Sequence, residues 1–181
     1  MTLEAPVVFG SSYEALLRVM GEKLDAGFTA KLKALGVDVS SINAAYPYET
    51  WVQSLELAMS VLWPGVAKDE ATWRMGRAIF DSWGHTLIGR ALLPLLRLLG
   101  PRRGLERMTR NLRSSNNYAD TRLTARGPTE YELWINLVAF PHYYRGLLES
   151  GLEASGAKGV HVEVLSHAPG AAAVLLLRWA P

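Results

Sequence analysis

The stretch EYELWINLVAFPHYYRGLLESGLEA, residues 130–154, decides the fold, because a strand pattern passes directly into a helix pattern within it. Residues 130–138 alternate with a period of two, which predicts a strand with one buried face. That face would carry Tyr131, Leu133, Ile135 and Leu137. Pro141 then begins a helix that runs to about residue 154, since proline fits the first helical turn, where its missing N–H leaves no hydrogen bond unmade.

The corner between this strand and this helix holds His142, Tyr143, Tyr144 and Arg145 in succession. These side chains could line a pocket, or they could simply turn the chain. Tyr144 lies four residues before Leu148, so the two share one face of the helix, and we expect that face to be buried. His142 and Arg145 are predicted to point outward. Tyr144 is therefore the residue of the corner that we most expect beside a cavity.

Helical periodicity dominates residues 11–113. Ser11-Ser12-Tyr13-Glu14 fits a capping box, in which serine and glutamate side chains each accept from a backbone N–H at the helix start. The segment 86–99 is apolar almost all round, which predicts a central helix with neighbours on most sides, kinked or restarted at Pro94. Further helices are predicted over 28–35, after Pro47, after Asp69 and over 101–113.

Strand patterns fill the remainder of the chain, over 120–124, 160–165 and 172–179. With the strand at 130–138 they form two hairpins, one on each side of the helix that begins at Pro141. The predicted class is α+β, with a helical N-terminal half packed on a C-terminal antiparallel sheet of two hairpins separated by a helix. A length of 181 residues suits a single domain, 1–181.

Composition excludes several kinds of site. The chain has no cysteine, so disulfides, thiolate zinc sites, iron–sulfur clusters, covalent haem and a cysteine nucleophile are ruled out. Its first residues lack a basic region and an apolar core, so no signal peptide is expected. The most apolar segment, 87–100, contains Arg90, Pro94 and Arg97 and is shorter than the roughly 20 apolar residues of a membrane span. A cytoplasmic location without a membrane span is predicted.

Net charge is only +2, but arginines concentrate in one segment that contains a single acidic residue, Glu106. This arginine patch could bind an anionic partner, or it could be a solvated helix face. Nucleic acid is not the expected partner, since no recognisable motif or set of stacking aromatics accompanies the charge. The candidate patch residues are Arg102, Arg103, Arg107, Arg110 and Arg113, preceded by Arg97.

A family resemblance rests on residues spread over most of the chain. GSSYEALL (10–17), MGRAIFDSWGHTLIGRALLPLLRLLGPRRGLERM (75–108), Asn116-Asn117-Tyr118 and FPHYYRGLLESGLEASGA (140–157) resemble a myxobacterial paralogous family, a domain of unknown function. The C-terminal half is more distantly similar to the fold of haem–nitric-oxide-binding domains, 4-vinyl reductase domains and the Bet3 subunits of TRAPP tethering complexes. That resemblance implies a haem, small-molecule or acyl-chain ligand between helices and sheet, or an assembly subunit.

The cofactors of these similar domains are not expected in this chain. Haem–nitric-oxide-binding domains use a proximal histidine and a Tyr-x-Ser-x-Arg motif, which is absent here, and the reductase group uses cysteine ligands. Neither haem nor a metal is therefore expected. The four histidines also show no metal-binding spacing, and no His-Glu-x-x-His occurs. A small apolar or acyl molecule is the kind of ligand that the sequence leaves possible.

No motif of an enzyme is present: there is no Gly-x-Ser-x-Gly, phosphate-binding loop, dinucleotide fingerprint or carboxylate pair. The first hypothesis is a non-enzymatic sensory or ligand-binding domain with an apolar cavity between the central helix and the sheet. Its ligand would contact Trp83, His85, Tyr143 and Tyr144, although His85 could instead cap a helix interruption. The alternative is a homodimeric interaction or scaffold module of a signalling or assembly system, with a protein partner.

Overall fold

A computed structural model of the protein describes residues 5–168 and 170–181, and leaves the side chains of residues 87 and 88 undescribed. The described residues form two compact units. The first takes the chain up to Val66 together with Arg113–Tyr118, and the second takes Ala67–Leu112 and Ala119–Pro181. The single domain remains a prediction from chain length.

The first unit is mainly helical. Its elements are β1 (Val7–Phe9), α1 (Gly10–Met20), α2 (Ala26–Ala34), β2 (Ala45–Pro47) and α3 (Tyr48–Leu62), with β1 and β2 antiparallel. The predicted capping box is wrong, because α1 begins at Gly10 with Phe9 as its cap and without a side-chain hydrogen bond. Gly10 lies close to the 42–44 loop, where a Cβ would lie 2.3 Å from the Asn43 carbonyl oxygen, so a residue with a side chain would not fit at this helix start.

An aromatic cluster lies in the core of the first unit, among buried aliphatic side chains. Tyr13 is fully buried, with its ring centroid 4.4 Å from Tyr46 and 5.1 Å from Trp51. Its hydroxyl lies 3.2 Å from the Ser54 hydroxyl. Burial raises the pKa of Tyr13 to about 12, although the Ser54 hydrogen bond acts in the opposite direction.

This pKa predicts a loss of stability at high pH. The folded state favours the neutral phenol. Tyr13 therefore contributes its full share of the free energy of unfolding below its ordinary pKa near 10, and this contribution is lost as pH rises through about 12. We expect the free energy of unfolding of the wild type to fall by about 2–3 kcal/mol more than that of Tyr13→Phe over this range. Urea unfolding of both proteins at several pH values measures the difference. Parallel pH profiles would contradict the prediction.

The second unit joins three helices to an antiparallel sheet. Its helices are α4 (Lys68–Gly84), α5 (Leu87–Asn111) and α6 (Pro141–Ala154), and its strands are β3 (Thr121–Gly127), β4 (Glu130–Val138), β5 (His161–His167) and β6 (Ala171–Arg178). The strand order is β3-β4-β6-β5, with every neighbouring pair antiparallel. The α+β class is confirmed, and both β4 and α6 begin at the residues predicted from the sequence.

The alternation in β4 holds for three of its four predicted residues. Tyr131, Leu133 and Ile135 are buried, whereas Leu137 is only half-buried and Val138 is buried instead. The pairing of β4 with β6 shifts register between Ile135 and Val138. Such an irregularity moves the following residue to the opposite face, which accounts for the exchange.

Helix α5 differs from the predicted central helix in two ways. Its break is at Gly100, whose φ of 74° is non-helical, while the helix continues through Pro94. The segment before the break is not enclosed, because Leu96 is the one buried residue among 91–99. The prediction of neighbours on most sides was therefore wrong. Gly100 has no Cβ, so it adopts this positive φ without steric cost.

The core of the second unit lies between its helices and one face of the sheet. The α5 residues in it are Leu105 and Met108, which follow the Gly100 break, and α6 contributes Leu148 and Leu152. The sheet contributes Leu133, Ile135, Val162, Leu175 and Leu177, among others. The later half of α5 thus covers the sheet, together with α6.

Candidate functional site

Two glycines bring α4 and α6 into close contact. A Cβ on Gly76 would lie 1.9 Å from the Tyr143 carbonyl oxygen, and one on Gly146 would lie 2.1 Å from the Trp73 carbonyl oxygen. Later in both helices, a Cβ on Gly151 would lie 3.3 Å from Phe80. Residue numbers rise together on the two helices, so α4 and α6 run parallel. This contact sets the position of the tyrosines at the beginning of α6.

Tyr143 and Tyr144 occupy the first turn of α6. Their rings meet edge to face, with centroids 5.5 Å apart. Tyr144 packs against the core of the second unit, which confirms its predicted inward direction. Burial raises the pKa of Tyr143 well above its usual range, and the neighbouring Tyr144 adds to the shift. The half-buried Tyr143 thus lies next to a ring that contacts the apolar core.

Trp83 and His85 lie where α4 ends. Trp83 is half-buried with its ring 5.6 Å from Phe80, and its carbonyl accepts a hydrogen bond from the Thr86 hydroxyl at 2.7 Å. The His85 backbone N–H caps α4 by donating to the carbonyls of Asp81 and Ser82. Its side chain is 73% exposed and lies 3.7 Å from the Asp81 carboxylate. The His85 side chain therefore lies largely in solvent beside Asp81, while its backbone N–H closes the end of α4.

The four predicted ligand residues lie at two places rather than one. Tyr143 is opposite Gly76, and the seven residues from Gly76 to Trp83 span about 10 Å of helix. Tyr143 and Tyr144 are in contact at one end of the α4–α6 pair, while Trp83 and His85 are at the other end. An elongated ligand would be needed to contact both ends.

Sequence reasoning missed a charged cluster on α4 and α6. Glu149 is buried with 8% of its side chain exposed, and it accepts hydrogen bonds from Trp73 Nε1 at 2.6 Å and Arg145 Nε at 3.0 Å. Arg77 lies 3.7 Å from Glu149 and donates to Glu153 at 2.7 Å. Arg145, which was expected to point outward, is about one third exposed and pairs with Glu149 one turn further along α6. The spacing of four residues between Arg145 and Glu149 was the signal in the sequence for that pair.

The predicted arginine patch is divided by the local structure. Arg102 is exposed and lies 3.3 Å from Glu106, while Arg110 donates to the Glu106 carbonyl at 3.0 Å. Arg103 is exposed and Arg107 is half-buried. Arg113 is exposed but belongs to the short helix after α5 and to the first unit. Glu106 thus neutralises part of the charge on the helix that was predicted to bind anions.

The part of the chain that the structure describes contains neither a metal-binding cluster nor a membrane-spanning helix. No group of three or more histidine, aspartate or glutamate side chains is arranged to hold a metal ion. None of the described helices combines the length and apolarity needed to cross a bilayer.

Solved structures with a similar fold are H-NOX proteins. The Fe(II) unliganded H-NOX protein from K. algicida is 13% identical, with a TM-score of 0.66 over 96% of this chain and 97% of that chain. A Tt H-NOX variant is 11% identical, with a TM-score of 0.61 over 96% of this chain and 95% of that chain. At this identity the likeness shows the fold alone. The distant resemblance predicted from the sequence is therefore confirmed as a resemblance of fold.

The surroundings of the four histidines bear on whether the chain could hold a haem iron, because histidine is a common axial ligand. His85 and His161 are exposed, and His142 lies 3.6 Å from the Asp69 carboxylate. His167 ends β5, and its Nε2 lies 2.9 Å from the Val138 carbonyl oxygen. None of these four side chains, all in the described part of the chain, is buried in an apolar core.

Sequence comparison identifies the family. No curated protein matches the chain. A family model described as a protein of unknown function, DUF2378, matches residues 6–180. The match spans both structural units, from the beginning of β1 to the end of the sheet. With nearly its whole length matched, this chain belongs to the DUF2378 family, whose function is unknown.

Proposed function

We propose that the chain is a non-enzymatic sensory domain that holds a small apolar or acyl ligand inside its second unit. The ligand would lie between the sheet and the layer formed by α6 and the later half of α5, beside Tyr144. The first half of α5 has a smaller part in this site than the sequence predicts, because its residues contribute little to the core. The similarity of fold to H-NOX proteins supports a sensory role by analogy.

The observation that carries the proposal is the tyrosine pair at the first turn of α6. Tyr143 is half-buried and in edge-to-face contact with Tyr144, which packs on the apolar core. A few polar groups at the border of an apolar interior are typical of small-molecule sites, where they orient the ligand. The phenol of Tyr143 would hydrogen-bond the polar end of the ligand, and Tyr144 would contact its apolar part.

Thermal unfolding with saturated fatty acids of increasing chain length tests the proposal. We expect the wild-type midpoint to rise with ligand concentration, since a ligand of the folded state stabilises it by mass action. Tyr143→Phe keeps the ring and removes the hydroxyl. Because one hydrogen bond contributes about 0.5–1.5 kcal/mol, we expect Tyr143→Phe to bind roughly three- to tenfold more weakly.

Tyr13→Phe is the matched control, because it removes a buried tyrosine hydroxyl from the first unit. It should lower the midpoint without ligand but leave the affinity for fatty acid unchanged. Equal loss of affinity in both variants, or no ligand-dependent shift in the wild type, would contradict the proposed site.

A homodimeric interaction module is the second candidate function. The exposed leucines of α5, Leu95 and Leu98, favour it because large apolar side chains in solvent often mark contact surfaces. The partner would be a second copy or another protein of a signalling or assembly system. Sedimentation velocity tests it, and a strict monomer over a wide concentration range would contradict the dimer.

A further inference from the structure

The first half of α5 carries an exposed apolar strip that the proposed ligand site does not use. The strip consists of Ala91, Pro94, Leu95 and Leu98, all exposed, with Leu98 84% and Leu95 37% exposed. Their spacing of three and four residues places them on one helix face. Leu96 is buried on the opposite side of the helix. This helix therefore has apolar residues on both faces, and one of these faces is exposed to solvent.

Basic side chains border this strip along one edge. Arg90 and Arg97 are exposed and seven residues apart, so they lie in one row beside Pro94. No acidic residue occurs between Asp81 and Glu106, and Arg102 and Arg103 follow the break at Gly100. The surface of this segment is therefore apolar and cationic, without acidic groups of its own.

We propose that this strip docks on the surface of an anionic lipid bilayer. Leucine side chains would enter the interface, while the long arginine stems would follow the apolar surface and place their guanidinium groups among lipid phosphates. Anionic lipid supplies both the apolar environment and the negative charge that the strip lacks. The helix lies in the interface and does not cross the bilayer, consistent with its two arginines.

Charge distinguishes this partner from a second copy of the chain. Two copies joined through the strip would gain no ion pair within it, because the segment has no acidic residue to pair with Arg90 and Arg97. An anionic bilayer supplies the negative charge that a second copy of the segment does not, and its surface attracts each arginine.

Flotation of the full chain with vesicles tests the proposal. One set contains phosphatidylcholine and phosphatidylglycerol in equal parts, and the other contains phosphatidylcholine alone. We expect binding to the first set and little to the second, weakened by added salt. Leu98→Ser should reduce binding about tenfold through lost apolar burial. The double variant of Arg90→Gln and Arg97→Gln should reduce it roughly fivefold for each arginine.

Exposed residues elsewhere provide matched controls. Leu165→Ser removes a leucine on β5 that is 46% exposed, and Arg18→Gln with Lys31→Gln removes two exposed charges of the first unit. Both controls should bind vesicles like the wild type. Equal losses in the controls, equal binding to neutral vesicles, or no binding at all would overturn the proposal. A wild-type dimer that Leu98→Ser converts to a monomer, without vesicle binding, would also overturn it and assign the strip to a second copy.

Discussion

Replacing Gly146 by alanine is expected to lower the free energy of unfolding by about 3 kcal/mol. The added Cβ would lie 2.1 Å from the carbonyl oxygen of Trp73, and a backbone atom has no rotamer through which to escape. Relief requires α4 and α6 to move apart, and Gly76 holds the same interface from the other helix. The higher helix propensity of alanine offsets only up to about 1 kcal/mol of this cost. Urea unfolding measures the change.

Gly127→Ala is the control for this substitution. A Cβ at Gly127 would lie 3.8 Å from its nearest neighbour, the Glu130 Cβ, and the φ of Gly127 is not positive. We expect its free energy of unfolding to stay within about 0.5 kcal/mol of the wild type. If Gly146→Ala were equally mild, the close parallel contact of α4 and α6 would be incorrect, and with it the placement of the two tyrosines.

Replacing Glu149 by alanine is expected to lower the free energy of unfolding by about 2–3 kcal/mol. The substitution leaves the Trp73 N–H without its acceptor and removes the carboxylate shared by Arg145 and Arg77. Both arginines are about one third exposed, so water replaces part of what they lose, and we place the expected effect below that of a fully buried pair. Thermal and urea unfolding measure the loss.

Glu153→Ala is the matched control on the same helix, since Glu153 also pairs with Arg77 but is 47% exposed. A pair exposed to this degree contributes about 0.2–1 kcal/mol. We therefore expect Glu149→Ala to lower the free energy of unfolding clearly more than Glu153→Ala does. Equal losses would mean that burial of the Glu149 carboxylate and its bond to Trp73 add nothing to stability.

Local patterns in the sequence predicted the second unit well. The period of two in residues 130–138 and the proline at 141 located β4 and α6 correctly, because each signal is contained within one element. The prediction failed for α1, since its start depends on how closely Gly10 approaches the Asn43 backbone, a contact between distant residues. The prediction also failed at Leu137, because the register shift there arises from the pairing of β4 with β6, which are distant in the sequence.

The candidate site was predicted in part. The inward direction of Tyr144 followed from its spacing to Leu148, and the structure confirms it. The apolar composition of 86–99 suggested burial, but composition alone cannot separate a helix enclosed by its own chain from one that exposes an apolar strip. The charged cluster around Glu149 joins α4 to α6, and its partner Trp73 is 76 residues away in sequence. No local pattern could assign that pair.

Native mass spectrometry of the purified full chain would show whether the second unit holds a small apolar molecule beside Tyr144. We expect the mass of the chain plus a dissociable apolar molecule, or an adduct that forms on addition of fatty acid. Adduct formation should be weaker in Tyr143→Phe than in Tyr13→Phe. Detection of the bare chain alone, before and after addition of fatty acid, would contradict the proposed ligand site.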